Sequence, residues 1–374
     1  MFGNTYPAPA PVQVGQLESF HPDATLPAEY LRTASEQTLL QSAYPELFEE
    51  IGLIFTSDIE TAGDWVDNTD VGSANLDHIA TDGAGTWVAI RDNGDAYTTS
   101  DPEGTWSRNA SAAGSFASDG LGYLPATGDF VAFDGSQPYY SDTPDSGAWT
   151  TDGTIGFLCA GKPVLFDGKL CFPGRNTATS TFAIAYSDDP ASGWTILDTG
   201  VSGIGRSVTT DGATLLLAGD SGKVFTTTDL TTITENTGSG LPGLSMQAAA
   251  YGDGIWVLAE TDNLYTASDP TGSWTTYTES VAQAKGLHFH PTTGKFLWQT
   301  SSAGTVDVSD APGVAAEVSI SIGEVNDFAH DDTYLVGVGI SGNIRVLRLY
   351  SYNPDTQFVV SAQGDATTAM RAKP

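Results

Sequence analysis

One short phrase recurs along this chain. TTSDPEGTW (98–106) is rewritten as FTSDIETAGDW (55–65), YSDTPDSGAW (140–149), YSDDPASGW (186–194), TTTDLTTIT (226–234), YTASDPTGSW (265–274) and VSDAPG (308–313). Anchored on its acidic residue, the series reads Asp58, Asp101, Asp142, Asp188, Asp229, Asp269 and Asp310. A degenerate eighth copy stands at Asn353, and the steps are about 40–46 residues. A catalytic motif is needed once; a phrase repeated at near-constant period belongs to the scaffold.

Before most copies stands a second pattern, a short apolar run, a Gly/Asp turn and another apolar run. Examples are IATDGAGTWVAI (79–90), VTTDGATLLLAG (208–219) and FAHDDTYLVGVG (328–339). This is a β-hairpin signal. A further turn, such as RDNGDAY (91–97), leads into the strand that carries the motif. Each repeat therefore holds four short strands. Four strands per forty-odd residues, repeated around seven times, predicts an all-β chain, a seven-bladed β-propeller. A lone four-stranded sheet cannot bury both faces, but radial packing buries them. Eight motif hairpins can be counted against seven inner hairpins. The surplus first hairpin, residues 53–68, is expected to join the last blade (322–358), with an eight-bladed ring as the alternative. The propeller is accordingly placed at 53–358, followed by a tail at 359–374.

Within the motif, Asp or Ser accepts backbone N–H groups ahead of it, Pro sets φ, and Gly supplies φ > 0. The aromatic residue folds back onto the sheet: Trp65, Trp106, Trp149, Trp194 and Trp274, with Phe358 in the last copy. The motif resembles the Asp-box of sialidase-like propellers, Ser-x-Asp-x-Gly-x-Thr-Trp. Thr99-x-Asp101, Gly104, Thr105 and Trp106 match it with one extra residue. That resemblance implies a propeller hairpin and leaves activity open, because Asp-boxes occur in glycosidases and in non-enzymatic propellers alike.

Residues 1–52 read differently. MFGNTYPAPAPVQVGQ carries Pro7, Pro9 and Pro11 and no periodicity, which suggests an extended arm. Pro45 suits the first turn of a short helix whose apolar face is Leu47, Phe48 and Ile51. The stretch 26–52 resembles the start of a bacteriophage tail-collar module. Leu26-Pro27, Tyr30-Leu31, Gln37-x-Leu39, Tyr44, Leu47-Phe48 and Ile51-Gly52 stand in matching places. Arg32-Thr33-Ala34-Ser35 replaces the usual Cys-Asp-Gly, and the later part of the module is absent. The resemblance implies a virion tail or fibre protein, attached through Tyr44, Pro45, Leu47 and Phe48.

With 46 acidic groups against 14 basic ones, the formal charge is −32. Such a chain repels nucleic acid and anionic membranes. It stays soluble, and salt screens its self-repulsion beyond roughly 8 Å. No run is long enough to span a bilayer, and no secretory signal is visible. Cys159 and Cys171 fall in neighbouring strands around a turn at Asp167-Gly168. Free buried thiols are the expectation, although a disulfide stays geometrically conceivable.

The sialidase-like resemblance would call for arginines converging on one pocket. Arg91, Arg175, Arg206 and Arg345 sit near strand ends but not at equivalent repeat positions. Acidic pairs such as Asp188-Asp189 and Asp331-Asp332 read as solvated turns. His288 and His290 share a strand face, and His330 lies on the equivalent strand of the next blade; chance placement outweighs a metal pair. No catalytic residue, cofactor or metal is therefore expected. The reading is a non-enzymatic virion protein of a tailed phage. Other tail proteins would bind residues 1–52, a host receptor or glycan would bind the propeller, and a homo-oligomer is compatible with this. The competing readings are a sialidase-like glycosidase and a non-viral surface binding module.

Overall fold

The computed structural model describes residues 58–349 apart from positions 74, 92–93, 110–117, 147–148, 262, 279–285, 301–303 and 314–317. Outside that span it describes the strands 17–19, 30–32, 37–40, 357–360 and 368–371. The attachment residues Tyr44, Pro45, Leu47 and Phe48, their expected helix, and the degenerate copy at Asn353 lie outside the described residues. Two compact units form. One is Ile59–Arg348, and the other joins Met1–Asp58 to Leu349–Pro374.

The first unit is a seven-bladed β-propeller, built from seven antiparallel sheets. In blade 1 the strands run outward as Leu76–Thr81, Trp87–Arg91, Ala96–Thr99 and Ser107–Asn109. The innermost strands of blades 2 to 6 begin at Ser118, Phe157, Gly205, Ala248 and His288. Blade 7 supplies three strands of its own, Asp327–His330, Tyr334–Val338 and Ile344–Arg348. Its fourth is Trp65–Asn68, paired antiparallel so that Trp65 lies level with Leu347 and Asn68 with Ile344. Seven blades, not eight, therefore close the ring. Among the described residues no helix is long and apolar enough to cross a membrane.

The second strand of each hairpin explains the continuous apolar runs. Each side of a blade faces another blade, so both faces are buried. Trp87 and Ala89 pack toward blade 7, whereas Val88 and Ile90 pack toward blade 2. Phe130 and Ala132 then face blade 1, and Val131 and Phe133 face blade 3. Leu215 and Leu217 separate from Leu216 and Ala218 in the same way. Each fully buried side chain of this size contributes roughly 1.5–3 kcal/mol. The core is thus a set of walls between wedges, and every wall needs both its wedges.

The recurring turn works through its hydroxyl first. Thr99, Ser141, Ser187, Thr227 and Ser309 each accept the backbone N–H two residues ahead, at 3.1–3.4 Å. A carboxylate then extends the cap. Asp101 accepts from Glu103 N, Asp189 from Ala191 N, Asp229 from Thr231 N and Thr232 N, and Asp269 from Thr271 N. In blade 3 the capping acid is Asp189, one position beyond Asp188. In blades 2 and 6 the position is filled by Thr143 and Ala311; Asp142 meets the Thr143 hydroxyl, and Asp310 pairs with Lys295 at 2.7 Å. Asp58 is exposed. The backbone N–H groups of Thr232 and Thr231 hold the Asp229 carboxyl down at about 2.

Four of the motif tryptophans lie between blades. Trp106 enters the wall shared with blade 7, Trp149 the wall with blade 1, and Trp274 the wall with blade 4. Trp65 is buried and meets Phe328 edge-on at 6.3 Å. Trp194 stands edge-on to Phe133 of blade 2, with ring centroids 5.0 Å apart at 80°. The strand Gln357–Val360, which contains Phe358, pairs instead with Gln37–Leu40 of the other unit.

A second link between blades was not anticipated. Asn68 of blade 7 donates to Pro102 O and Gly104 O of the blade 1 turn, at 3.0 and 2.7 Å. Asn236 of blade 4 repeats this on Pro270 O and Gly272 O of blade 5, and Asn109 reaches Pro144 O of blade 2. The turn of one blade is thereby tied to the fourth strand of the blade before it.

Trp106→Ala is expected to cost about 3–5 kcal/mol through the cavity it leaves. Asn68→Ala should cost about 1–3 kcal/mol through two orphaned carbonyls. Urea unfolding followed by near-ultraviolet circular dichroism measures both, and Trp106→Ala should give the larger loss.

Candidate functional site

The inner strands surround a cavity of about 670 Å³ on the ring axis. Six blades contribute one continuous inner strand each to the ring centre, with bulges in blades 1, 2 and 4; blade 3 does not. Its innermost strand breaks into Phe157–Cys159 and Val164–Phe166, which both pair with Lys169–Asn176. Between the halves, Ala160–Pro163 bulges into the cavity. Pro163 has no N–H to offer a ladder. Gly161 allows the bulge to pack: a Cβ there would lie 2.1 Å from Arg206 O of blade 4. A Cβ on Gly120 of blade 2 would likewise lie 2.5 Å from Gly161 O.

The bulge sends Lys162 across the axis to blade 7. Its ammonium lies 2.8 Å from Asp327 Oδ1 and also donates to Phe328 O. Asp327, nearly fully buried, accepts from Phe328 N at 2.8 Å and from Ile79 N at 3.1 Å. His78 Nδ1 stands 3.7 Å from its other oxygen. Burial works to raise the Asp327 pKa, but Lys162 and His78 outweigh it and the net shift is downward. The carboxylate is therefore ionised, and the pair bridges nearly opposite sides of the ring.

The histidines gather beside it. His288 Nε2 and His330 Nδ1 share a hydrogen bond of 2.9 Å, and the His290 ring packs on His330 with centroids 4.8 Å apart. His290 Nδ1 meets the Thr293 hydroxyl at 3.0 Å, while its Nε2 is buried without a partner. Burial first, then His330, lowers His290 to about 3; burial, then Lys162, lowers His330 to about 4. Among the described residues no group of three or more His, Cys, Asp or Glu side chains is placed to hold a metal ion.

Among the described residues the arginines stay dispersed around the ring, and Arg175 Nε is buried without a hydrogen-bond partner. Arg91 and Arg108 both bind Asp95, Arg206 binds Asp220, and Arg345 binds Asp67. Of these only Arg206 also lines the axial cavity. Asp331 caps its own turn through Thr333 N and Tyr334 N. Cys159 and Cys171 are both free and buried; burial pushes the Cys171 thiol up to about 12. They do not face one another, because Cys159 is level with Gly174 and Cys171 with Val164. Lys162, Asp327, His78 and Ser207, all on the cavity wall, were missed from sequence. The one available signal was GKP interrupting the apolar run FLCAGKPVLF.

No family model and no curated protein matches the chain. Solved structures do match. YCF48 bound to a D1 peptide is similar with a TM-score of 0.58 at 11% identity, over 78% of this chain and 99% of that one. The Cps50 (Swd1) β-propeller domain of Myceliophteria thermophila gives 0.58 at 11% identity, over 76% and 100%. PorZ, a surface component of the type-IX secretion system of Porphyromonas gingivalis, gives 0.54 at 12% identity, over 81% of this chain and 39% of that one. At these identities the likeness is one of fold alone.

Lys162→Met should destabilise the propeller toward the lower end of the ~3–5 kcal/mol cost of an orphaned buried charge, because Lys162 is partly exposed. Adding Asp327→Asn should recover part of that loss in the same urea titration. The histidines set a pH window. Their folded pKa values are depressed, so their contribution is complete above about 6.5 and is lost as pH falls toward about 4 and 3. Asp229 acts later, between its usual value and about 2. Stability measured from pH 8 to 4 should therefore fall less steeply in His330→Asn than in the parent.

Proposed function

We propose that this chain is a non-enzymatic structural protein of a tailed-bacteriophage virion. It would be a tail or fibre component that displays its propeller to a host-surface glycan. The observation that carries this reading is the pairing of the two chain ends. Strand Thr368–Arg371 lies between Leu17–Ser19 and Tyr30–Arg32, and Gln357–Val360 pairs with Gln37–Leu40. The ring is entered and left through adjacent strands of blade 7. Both ends then contribute to one separate unit, which suits a mount for a displayed domain. The tail-collar resemblance over 26–52 falls in the same unit and supports attachment to other tail proteins.

The dispersed arginines support a binding role over a sialidase-like one. Each of the four pairs described binds a carboxylate beside it, so they do not form one anion pocket. YCF48, a propeller of similar fold, was solved bound to a peptide. That precedent is consistent with a propeller used for recognition, and it does not specify a ligand here.

The test is made on particles. Mass spectrometry of purified virions should find the full chain at a fixed copy number. A chain lacking residues 1–52 should fail to incorporate, and Fab fragments against the propeller should block adsorption to host cells. Absence from particles, or adsorption unchanged under saturating Fab, would overturn the proposal.

A further inference from the structure

We infer that the axial cavity is a binding site for an uncharged sugar, a short neutral oligosaccharide gripped between blades 4, 5 and 6. The inference rests on the glycan-binding reading above and adds the place and chemical class of the ligand. Its volume of about 670 Å³ lies within the ~300–1,000 Å³ typical of small-molecule sites.

Charge decides against an acidic sugar. The lining carries Asp77, Asp119 and Asp327 against Lys162 and Arg206, three carboxylates to two cations. Both cations are already bound to carboxylates, Lys162 to Asp327 and Arg206 to Asp220. An incoming anion would find no uncommitted cation here, inside a chain of net charge −32. It would have to break a charge-assisted pair to gain one, at a cost comparable with what it won.

Neutral polar groups point instead to hydroxyls. Ser207 is about 6% exposed, lines the cavity, and its Oγ has no hydrogen-bond partner. A buried unpartnered hydroxyl costs free energy, which a ligand hydroxyl would recover once the Ser207 side chain turns its Oγ to the cavity. Gln247, half-buried on the same wall, adds an amide that both donates and accepts. A sugar hydroxyl also donates and accepts, so it matches this mixed set where a purely acceptor anion does not.

The walls supply the apolar half of sugar recognition. Phe289 and Tyr251, from the inner strands of blades 6 and 5, both line the cavity and are partly exposed. Each is braced by an aromatic neighbour, Phe289 by Phe296 at 4.8 Å and Tyr251 by Trp256 at 4.7 Å. A pyranose presents a C–H face to such rings and hydroxyls at its edge.

The experiment is calorimetric titration of the isolated full chain. The probes are a panel of neutral hexose, deoxyhexose and N-acetylhexosamine mono- and disaccharides, with N-acetylneuraminic and glucuronic acids as charged counterparts. At least one neutral disaccharide should saturate, and the charged sugars should bind at least about tenfold more weakly. Ser207→Ala and Gln247→Ala, checked for unchanged melting, should each weaken binding about fivefold, the loss of one hydrogen bond. Asp269→Asn, in a peripheral turn, should leave it unchanged. No binding across the neutral panel, tighter binding of the acids, or parent-like affinity in both cavity variants would overturn the inference. Because the titration uses the isolated chain, its outcome is separate from that of the particle experiment. A sugar bound by a chain that particles lack would remove the tail reading and leave the cavity. A virion chain that binds no neutral sugar would do the reverse.

Discussion

The ring depends on one antiparallel contact, the pairing of Trp65–Asn68 with Ile344–Arg348. Every blade is apolar on both sides, so no blade is satisfied until it has two neighbours. In an open row, the two end blades would each leave a wall of Val, Ile and aromatic side chains in water. Closing the ring removes both exposed walls at once. The closing strand is taken from the other end of the propeller, which makes the final blade a joint product of both ends. The entropic cost of joining such distant residues grows only logarithmically with separation. The gain, one complete inter-blade wall plus a strand ladder, does not shrink with separation.

Closure also creates the axis, and the axis is where the repeat is broken. Lys162 and Asp327 lie 165 positions apart and meet only because blades 3 and 7 face each other across a closed ring. The break in the blade 3 inner strand has no counterpart in the other inner strands described. It replaces ladder positions with a glycine, a lysine and a proline whose shared effect is to deliver one ammonium to the centre. In a scaffold whose repeated features are accounted for by packing, an unrepeated feature that costs ladder hydrogen bonds and buries a charge is the natural place to look for recognition.

Much of the fold was legible in the sequence because its determinants are local. Gly and Asp at turns, and apolar runs of four or five residues, report strand length and hairpin connection without any distant information. The repeat favoured seven blades and left eight open, and the pairing of Trp65–Asn68 with Ile344–Arg348 decides for seven. The motif's register was less legible. The hydroxyl at the strand end, not the acid, anchors the turn, so the acid could slip by one position, as between Asp188 and Asp189. The asparagine ties of Asn68, Asn109 and Asn236 follow a fixed offset of three from Trp65, Trp106 and Ile233. That offset was present in the sequence, but its meaning lay in the neighbouring blade. The axial site was least legible, because its members come from all seven blades and share no spacing.

The acidic character of the chain can be traced partly to the same turns. Asp82, Asp101, Asp189, Asp211, Asp229, Asp269 and Asp331 each accept backbone N–H groups at a hairpin end. Ionised carboxylates accept such bonds more strongly than neutral groups, which favours Asp at these positions. Yet Asn176 and Asn236 make the same contact with a neutral amide, to Ala178 N and Gly238 N. Capping therefore explains where the acids sit better than why they are so seldom amides. The surplus charge falls on turns at the blade ends, where water and salt screen it. The axial cavity instead commits both of its cations, Lys162 and Arg206, to carboxylates. That separation leaves the outside strongly negative while both cations of the cavity are neutralised within the protein.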